Sequence, residues 1–158
     1  MSKDVRILPY REGHLDLMVL RPDVDRDAMD KLLSSFLKAP RAYSYTIAIN
    51  GEVIFIGGVI EVWKGVGEAW AIVSPKAAAH ALTIHRLSLP MMKVWFSELG
   101  LHRLQATAQI KRNPNLRWED SLGKNVRWAR SLGFQEEAVL KRYGKGQEDH
   151  LMLTRFSP

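Results

Sequence analysis

The spacing of apolar residues changes period several times along the chain, and each change predicts a new element. A short opening strand is predicted from Val5 to Tyr10. Apolar residues then recur at helical spacing up to the pair Ala39-Pro40, where proline interrupts the pattern. Asp23 or Asp25 is suitably placed to cap this helix.

The next segment alternates apolar and polar residues in the manner of paired strands. Ala42 to Ile49 is rich in β-branched and aromatic residues, and Asn50-Gly51 can supply the two positive φ angles of a tight hairpin. The returning strand runs from Glu52 to Trp63, and a third strand from Glu68 to Val73 completes an antiparallel meander. Gly57-Gly58 in the second strand indicates either a bulge or the close approach of another backbone or ligand.

A helical period begins after Ser74 and predicts the longest helix, from Pro75 to Leu99. Ser74 can cap it, proline suits its first turn, and Pro90 should kink it on the polar side. The predicted apolar face consists of Ala78, Leu82, His85, Leu89, Met92, Phe96 and Leu99.

The last third of the chain predicts a strand, a helix and two further strands. The first strand runs from Leu104 to Ile110, and Ser121 is placed to cap a helix that Gly133 ends. Strands near Gln135 to Tyr143 and His150 to Phe156 follow. The whole order predicts an α/β (α+β) fold with a mixed, mostly antiparallel sheet of six or seven strands and one parallel crossover.

Composition narrows the class of protein. A chain of 158 residues is long enough for one core, so a single domain over residues 1–158 is expected. The absence of cysteine excludes disulfides and thiolate chemistry. Neither a secretory signal nor an apolar run of bilayer length is present, so we expect a cytoplasmic protein with no membrane partner.

The formal charge of +6 favours anionic partners without selecting one. Basic residues are densest at Lys111 to Arg117, Lys124 to Arg130 and Lys141 to Lys145. Nucleic acid is a possible partner through this surface but is not favoured, because no nucleic-acid motif accompanies it. Lys111 to Asp120 is predicted to be a basic surface loop, in which Trp118 beside Arg117 is a candidate for recognition.

Common catalytic motifs are missing from the sequence. It contains no Gly-x-Ser-x-Gly elbow, Walker loop or dinucleotide fingerprint, which argues against hydrolase, NTPase and Rossmann functions. His80 and His85 are five residues apart and therefore do not share a helix face. No metal site is expected.

Two segments of the carboxy-terminal half carry a family resemblance. "WFSELGLHRL", Trp95 to Leu104, and "RWARSLGF", Arg127 to Phe134, occur in the order and approximate spacing of the GCN5-related N-acetyltransferases (GNAT). The first resembles the end of the central helix and the following strand in the family branch that acetylates ribosomal-protein amino termini, and the second resembles the family's last helix. The resemblance implies a GNAT-like fold and transfer of an acetyl group from acetyl-CoA, as substrate, to a primary amine.

In this family the strand before the central helix pairs with the pantetheine arm of the coenzyme, and the loop into that helix offers amides to the pyrophosphate. The matching segment here is "AWAIVSPKAAAHA", Ala69 to Ala81, so we expect Ser74 near a V-shaped opening between strands. The resemblance therefore implies the following coenzyme-binding residues: Ile72, Val73, Ser74, Lys76, Ala77, Ala78, Ala79, His80 and Ala81.

This loop departs from the family pattern. The usual glycines fall at Ala79 and Ala81, and the usual Arg or Gln falls at Ala78. Alanine discourages the positive φ that glycine permits, although Lys76 could partly replace the missing basic contact. The alternative interpretation is a plain helix start made of good helix formers.

The resemblance also implies catalytic residues. Glu68, near the start of the third meander strand, is the expected general base, with Glu61 as the alternative, and amides near Ile72 and Val73 would stabilise the oxyanion. The tyrosine that protonates the leaving thiolate in the family aligns with Ala129. Tyr143 is therefore a candidate acid that would act from another position.

The family's coenzyme-contacting Asn aligns with Leu122. Lys111 to Asp120 resembles an insertion relative to the family, and Asn113 or Asn115 within it could substitute for that Asn.

A narrower resemblance is to acetyltransferase-like proteins of short-tailed bacteriophages, some of which are internal virion proteins. It rests on Gly57-Gly58, on Trp70 to Ser74 and on the altered loop. It implies an alternative function as a noncatalytic binding or structural protein, located in the host cytoplasm or virion. The amine acceptor is left unidentified, and a homo-oligomer or a virion assembly is possible.

Overall fold

The computed structural model describes residues 2–158 and shows one sheet of seven strands. The strands are β1 Val5–Pro9, β2 Ala42–Ile49, β3 Glu52–Trp63, β4 Val66–Val73, β5 Arg103–Gln109, β6 Gln135–Leu140 and β7 His150–Phe156. The α-helices are α1 Arg26–Lys38, α2 Ala81–Leu99, the single turn α3 Trp118–Ser121, and α4 Lys124–Ser131. Short 3-10 helices cover Leu15–Leu17 and Pro75–His80.

The spatial order of the strands is β1-β2-β3-β4-β5-β7-β6. β4 and β5 are parallel, while the other neighbouring strands pair antiparallel. The connection from β4 to β5 runs through α2, as a parallel crossover requires. The predicted mixed, mostly antiparallel sheet with one crossover is therefore confirmed.

Each face of the sheet has its own apolar core. On one face α1 packs through Leu33 against Ile56, and Phe36 lies 4.8 Å from the ring of Trp70. On the other face α2 and α4 cover the sheet and share the larger core. No helix within residues 2–158 combines the length and apolarity needed to cross a bilayer.

The first predicted helix and the hairpin are confirmed in detail. Asp25 caps α1 by accepting a hydrogen bond from the Ala28 amide, because its extended backbone lets the carboxylate reach a free donor. Asn50 and Gly51 both have positive φ, 52° and 82°, and connect β2 to β3 in two residues.

The two glycines of β3 correspond to a close backbone approach. A Cβ on Gly58 would lie 2.3 Å from the Tyr43 carbonyl oxygen and 2.9 Å from the Trp70 ring. The irregularities in register of β3 occur elsewhere, opposite Ile47–Ala48 of β2 and between Glu61 and Trp63. The bulge alternative at Gly57-Gly58 is therefore wrong.

The long helix predicted from Pro75 to Leu99 is divided in two. Pro75–His80 is a 3-10 helix, and α2 begins at Ala81 after His80, whose φ of −126° and ψ of 18° are not helical. Apolar periodicity cannot reveal this division, because a run of alanines fits either helix type. Leu82, predicted on the buried face, is 61% exposed, since it lies roughly 100° from the centre of that face at 3.6 residues per turn.

The start of the last helix was also predicted wrongly. Ser121 is buried at the end of α3, where its hydroxyl donates to the Trp118 carbonyl oxygen, and it does not cap α4. α4 instead begins after Gly123, whose φ is 98°, and no side chain caps it. The predicted stop at Gly133 is confirmed by its φ of 90°.

Candidate functional site

A V-shaped opening separates β4 from β5. The two strands are in register only from Val66–Glu68 against Arg103–Gln105. Beyond that point they diverge, and a cleft of about 220 Å³ lies between them, bounded by α2 and α4. The opening expected beside Ser74 is therefore present, because Val73, the preceding residue, lines it.

Small side chains keep the cleft open. The strand residues that line it include Ala69 and Ala71 of β4 and Ala106 and Ala108 of β5. A methyl group is too short to bridge two diverging strands, so the space between them is not filled by the protein. The divergence also leaves the β5-facing backbone groups of residues 69–73 without a strand partner, within the part of the chain that the structure describes.

The inner wall of the cleft is aromatic and contains one buried polar pair. The hydroxyls of Tyr45 and Ser88 lie 2.9 Å apart and are hydrogen-bonded. Burial raises the pKa of Tyr45 to about 12, while its hydrogen bond with Ser88 opposes the rise. Trp95 packs 6.0 Å from the Tyr45 ring, and Trp128 of α4 meets Phe55 edge to face at 5.7 Å.

Glu68 lies at the vertex of the opening, at the last position where β4 and β5 still pair. Its Oε2 accepts a hydrogen bond of 3.1 Å from Nε2 of Gln105, the residue opposite. Because side chains alternate along a strand, Glu68 and Trp70 lie on the α1 side of the sheet, while Ala69 and Ala71 lie on the α2 side. A carboxylate at this vertex can accept a proton from a group that approaches from the α1 side.

The alternative base, Glu61, is engaged elsewhere. Its side chain is only 8% exposed and forms an ion pair of 2.9 Å with Arg41. Arg41 also donates to the carbonyl oxygen of Leu99 at the end of α2, so the pair ties β3 to that helix. This arrangement assigns Glu61 a structural task.

The loop that follows β4 uses its own backbone donors. The Ser74 amide donates to the Ile54 carbonyl, and Pro75 has no amide proton. The Lys76 amide donates to Ser74 Oγ at 3.3 Å, and the Ala77 amide donates to the Ser74 carbonyl at 2.9 Å. The first donors of the expected pyrophosphate loop are thus satisfied internally.

The side chains of this loop are divided between the surface and the core. Ala78, Ala79 and Ala81 are exposed, Ala77 is buried, and His80 is half-buried. Lys76 Nζ lies 2.9 Å from both carboxylate oxygens of Glu52. Its charge is therefore already paired within the protein.

Several other candidates lie outside the cleft. Tyr143 is 53% exposed beyond the end of β6 and packs 5.2 Å from the ring of His150. Asn113 and Asn115 are exposed in the loop before α3. At the two aligned family positions, Ala129 lines the cleft, whereas Leu122 is buried in the core.

Among the cleft residues that sequence reasoning missed are Tyr45, Ser88, Asn125 and Trp128. In the sequence, Tyr45 fits the pattern of a strand and Ser88 fits that of a helix, so neither stands out as a site residue. Only tertiary packing brings them together. Asn125 and Trp128 were detectable in principle, because their spacing of three places them on one face of α4.

No family model matches the sequence, and a search of the curated proteins finds no relative. Solved structures do match. A spermidine N-acetyltransferase chimera of Vibrio cholerae SpeG and hSSAT is similar with a TM-score of 0.69 at 16% identity, covering 96% of this chain and 95% of that chain.

A point mutant of the spermidine N-acetyltransferase SpeG from Vibrio cholerae gives a TM-score of 0.68 at 16% identity, covering 96% of this chain and 93% of that chain. Identity at this level establishes the fold alone. With the crossover and the divergent β4 and β5, these similarities confirm that the chain has the GNAT fold.

Proposed function

We propose that this protein transfers an acetyl group from acetyl-CoA to a primary amine. The observation that carries the proposal is the cleft between β4 and β5, with Glu68 at its vertex. Unpaired backbone groups of residues 69–73 form an edge along which the amides of a pantetheine arm can bind as an added strand would. Amides near Ile72 and Val73 are the proposed donors to the thioester oxygen.

The chemistry assigns a role to Glu68. A neutral amine attacks the thioester carbonyl carbon, the carbon–sulfur bond breaks, and the amine proton passes to a base. Glu68 faces the α1 side of the vertex, so an acceptor amine would approach from that side. Ala129 leaves the cleft without the family's acid at that position, and Tyr143 lies outside the cleft, so solvent would protonate the thiolate.

The acceptor is proposed by class only. The similar structures are named for spermidine, and the sequence resembles the branch that acetylates ribosomal-protein amino termini. Spermidine and peptides with free amino termini are therefore the first two acceptors to assay. Both supply a primary amine, as the proposed chemistry requires.

Calorimetric titration with CoA tests the proposal directly, together with a variant that fills the cleft. Ala108→Leu extends a side chain into the space between β4 and β5, so CoA affinity should fall at least about tenfold while the fold is kept. Ala138→Leu, on an exposed position of β6, is the matched control and should bind like the unmodified protein. Equal affinity in all three proteins would place CoA elsewhere.

A second candidate is a noncatalytic protein that keeps the fold. It is favoured by the internally satisfied donors of the loop after β4 and by the ion pair of Lys76 with Glu52. A role in a virion, which the narrower sequence resemblance suggests, gains no support from the similar structures described above. Absence of both CoA binding and acetylation would favour this candidate.

A further inference from the structure

The mouth of the cleft has two unlike sides. Val73 ends β4 on one side, while Gln109 of β5 and Asn125 of α4 lie on the other, and all three line the cleft. A coenzyme whose pantetheine arm occupies the cleft must pass its phosphates through this mouth. The groups around the mouth therefore decide which side holds the anionic part.

The β4 side offers little to an anion. The Ser74 amide donates to Ile54 of β3, the Lys76 and Ala77 amides donate to Ser74, and Pro75 has no amide proton. Its nearest lysine, Lys76, is held by both carboxylate oxygens of Glu52. A phosphate on this side would have to displace that carboxylate and would experience its negative charge.

The opposite side carries lysines without acidic partners. Lys111 lies two residues after Gln109, and Lys124 directly precedes Asn125. A Cβ on Gly123 would lie 3.6 Å from Lys111 Cβ, so the Lys111 side chain starts beside the residue that precedes α4. Within residues 2–158 neither lysine forms an ion pair, not even with the nearby acidic residues of α3.

We infer that Lys111 and Lys124 bind the phosphates of CoA, so that the anionic half of the coenzyme lies against α4 and not against the loop after β4. The inference rests on the proposed function for the presence of CoA in the cleft. The segment that begins at Lys111, which resembles an insertion relative to the family, would then be part of the coenzyme site. In this arrangement the two ammonium groups would offset the lost donors of the altered loop.

The test is calorimetric titration of CoA against charge-reversal variants of the full chain. Lys111→Glu with Lys124→Glu should weaken binding about 100-fold, since each hydrogen bond between charged groups contributes about tenfold or more. Lys31→Glu with Lys38→Glu changes net charge equally on exposed positions of α1 and should change affinity less than about threefold. Lys76→Glu probes the β4 side, and the inference expects it to weaken binding much less than the Lys111 and Lys124 double variant does.

Salt provides a second readout. CoA affinity of the unmodified protein should fall as the salt concentration rises, and this dependence should nearly vanish in the Lys111 and Lys124 double variant. Circular dichroism should show that the double variant is folded. A double variant that is unfolded would be replaced by Lys111→Gln with Lys124→Gln, for which a weakening of at least about tenfold is expected.

The outcomes separate this inference from the proposed function. CoA binding that tolerates the double variant but is lost in Lys76→Glu would overturn the inference and leave acetyl transfer intact. The expected loss in the double variant, with no acetylation of any amine, would support the phosphate site and count against catalysis. Failure of the unmodified protein to bind CoA would overturn both.

Discussion

At the scale of single residues, the site depends on two side chains whose surroundings differ. Glu68 is half-buried at the vertex and accepts a hydrogen bond from Gln105, which leaves its second oxygen available to a proton donor. Tyr45 is 3% exposed and bonded to Ser88, so its phenol is an integral part of the cleft wall. One residue is therefore expected to affect turnover, and the other stability.

Replacing Glu68 by Gln removes the proposed base while keeping size and hydrogen-bonding capacity. We expect kcat to fall about 100-fold or more with CoA affinity unchanged, because the base acts in the chemical step. The deficit should shrink at higher pH, where more acceptor amine is already deprotonated. Glu98→Gln, on an exposed position of α2, serves as the control, and unchanged turnover in Glu68→Gln would reject the role.

Replacing Tyr45 by Phe tests the buried phenol. At neutral pH the loss of the hydrogen bond with Ser88 should lower the free energy of unfolding by about 1 kcal/mol. Burial raises the pKa of Tyr45 from 10.0 to about 12, so the associated stability is complete below pH 10 and is lost as pH rises towards 12. The loss should approach about 1.4 kcal/mol per pH unit.

Denaturant titrations of both proteins between pH 9 and 12 measure this effect. The unmodified protein should be the more stable of the two at pH 9, and the difference should fall to zero and reverse sign towards pH 12, because phenylalanine has no proton to lose. A difference independent of pH would show that the phenol is not buried as described.

At the scale of elements, strand contacts decide the shape of the site. β3 and β2 approach closely at Gly58, opposite Ser44, and the Trp70 ring of β4 lies over the same glycine. Trp70 in turn lines the cleft and contacts Phe36 of α1. The absence of a side chain at Gly58 thus positions a wall of the cleft.

Gly58→Ala should be strongly destabilising, because its Cβ would lie 2.3 Å from the Tyr43 carbonyl oxygen, which belongs to the backbone and cannot rotate away. We expect a loss of about 3 kcal/mol or more in the free energy of unfolding. Gly100→Ala, which has positive φ but no atom within 4 Å of the added Cβ, should cost only about 1 kcal/mol. Chemical denaturation compares the two, and equal costs would remove steric contact as the reason.

At the scale of the whole molecule, the chain combines a net positive charge with a largely apolar cleft between β4 and β5. The formal charge of +6 would attract an anionic ligand before any contact forms. A ligand that binds only the folded state also stabilises that state, by an amount set by the ligand's concentration and affinity.

CoA at 100 times its dissociation constant should stabilise the fold by about 2.7 kcal/mol. For a chain of this size the melting temperature should rise by about 5 to 10 °C. Differential scanning calorimetry measures the shift, and Ala108→Leu at the same CoA concentration should show less of it. No shift in the unmodified protein at millimolar CoA would favour the noncatalytic candidate.

The sequence by itself determined the elements whose signals are local. The hairpin at Asn50-Gly51 and the stop at Gly133 follow from backbone preferences of single residues, so they could be predicted without any partner. The helix cap was narrowed to Asp23 or Asp25, and the structure selects Asp25. The strand pattern also predicted the meander and the single parallel crossover, but it did not predict that β7 lies between β5 and β6. The family resemblance added the place of the opening beside Ser74.

Only the tertiary structure decided which groups are free to act. The ion pair of Lys76 with Glu52 joins residues 24 positions apart, and the bond of Tyr45 with Ser88 joins residues 43 positions apart. Gln109 and Asn125 likewise meet at the cleft only when β5 and α4 are packed together. Such contacts depend on the folded arrangement of distant segments, which local periodicity and residue preference do not encode.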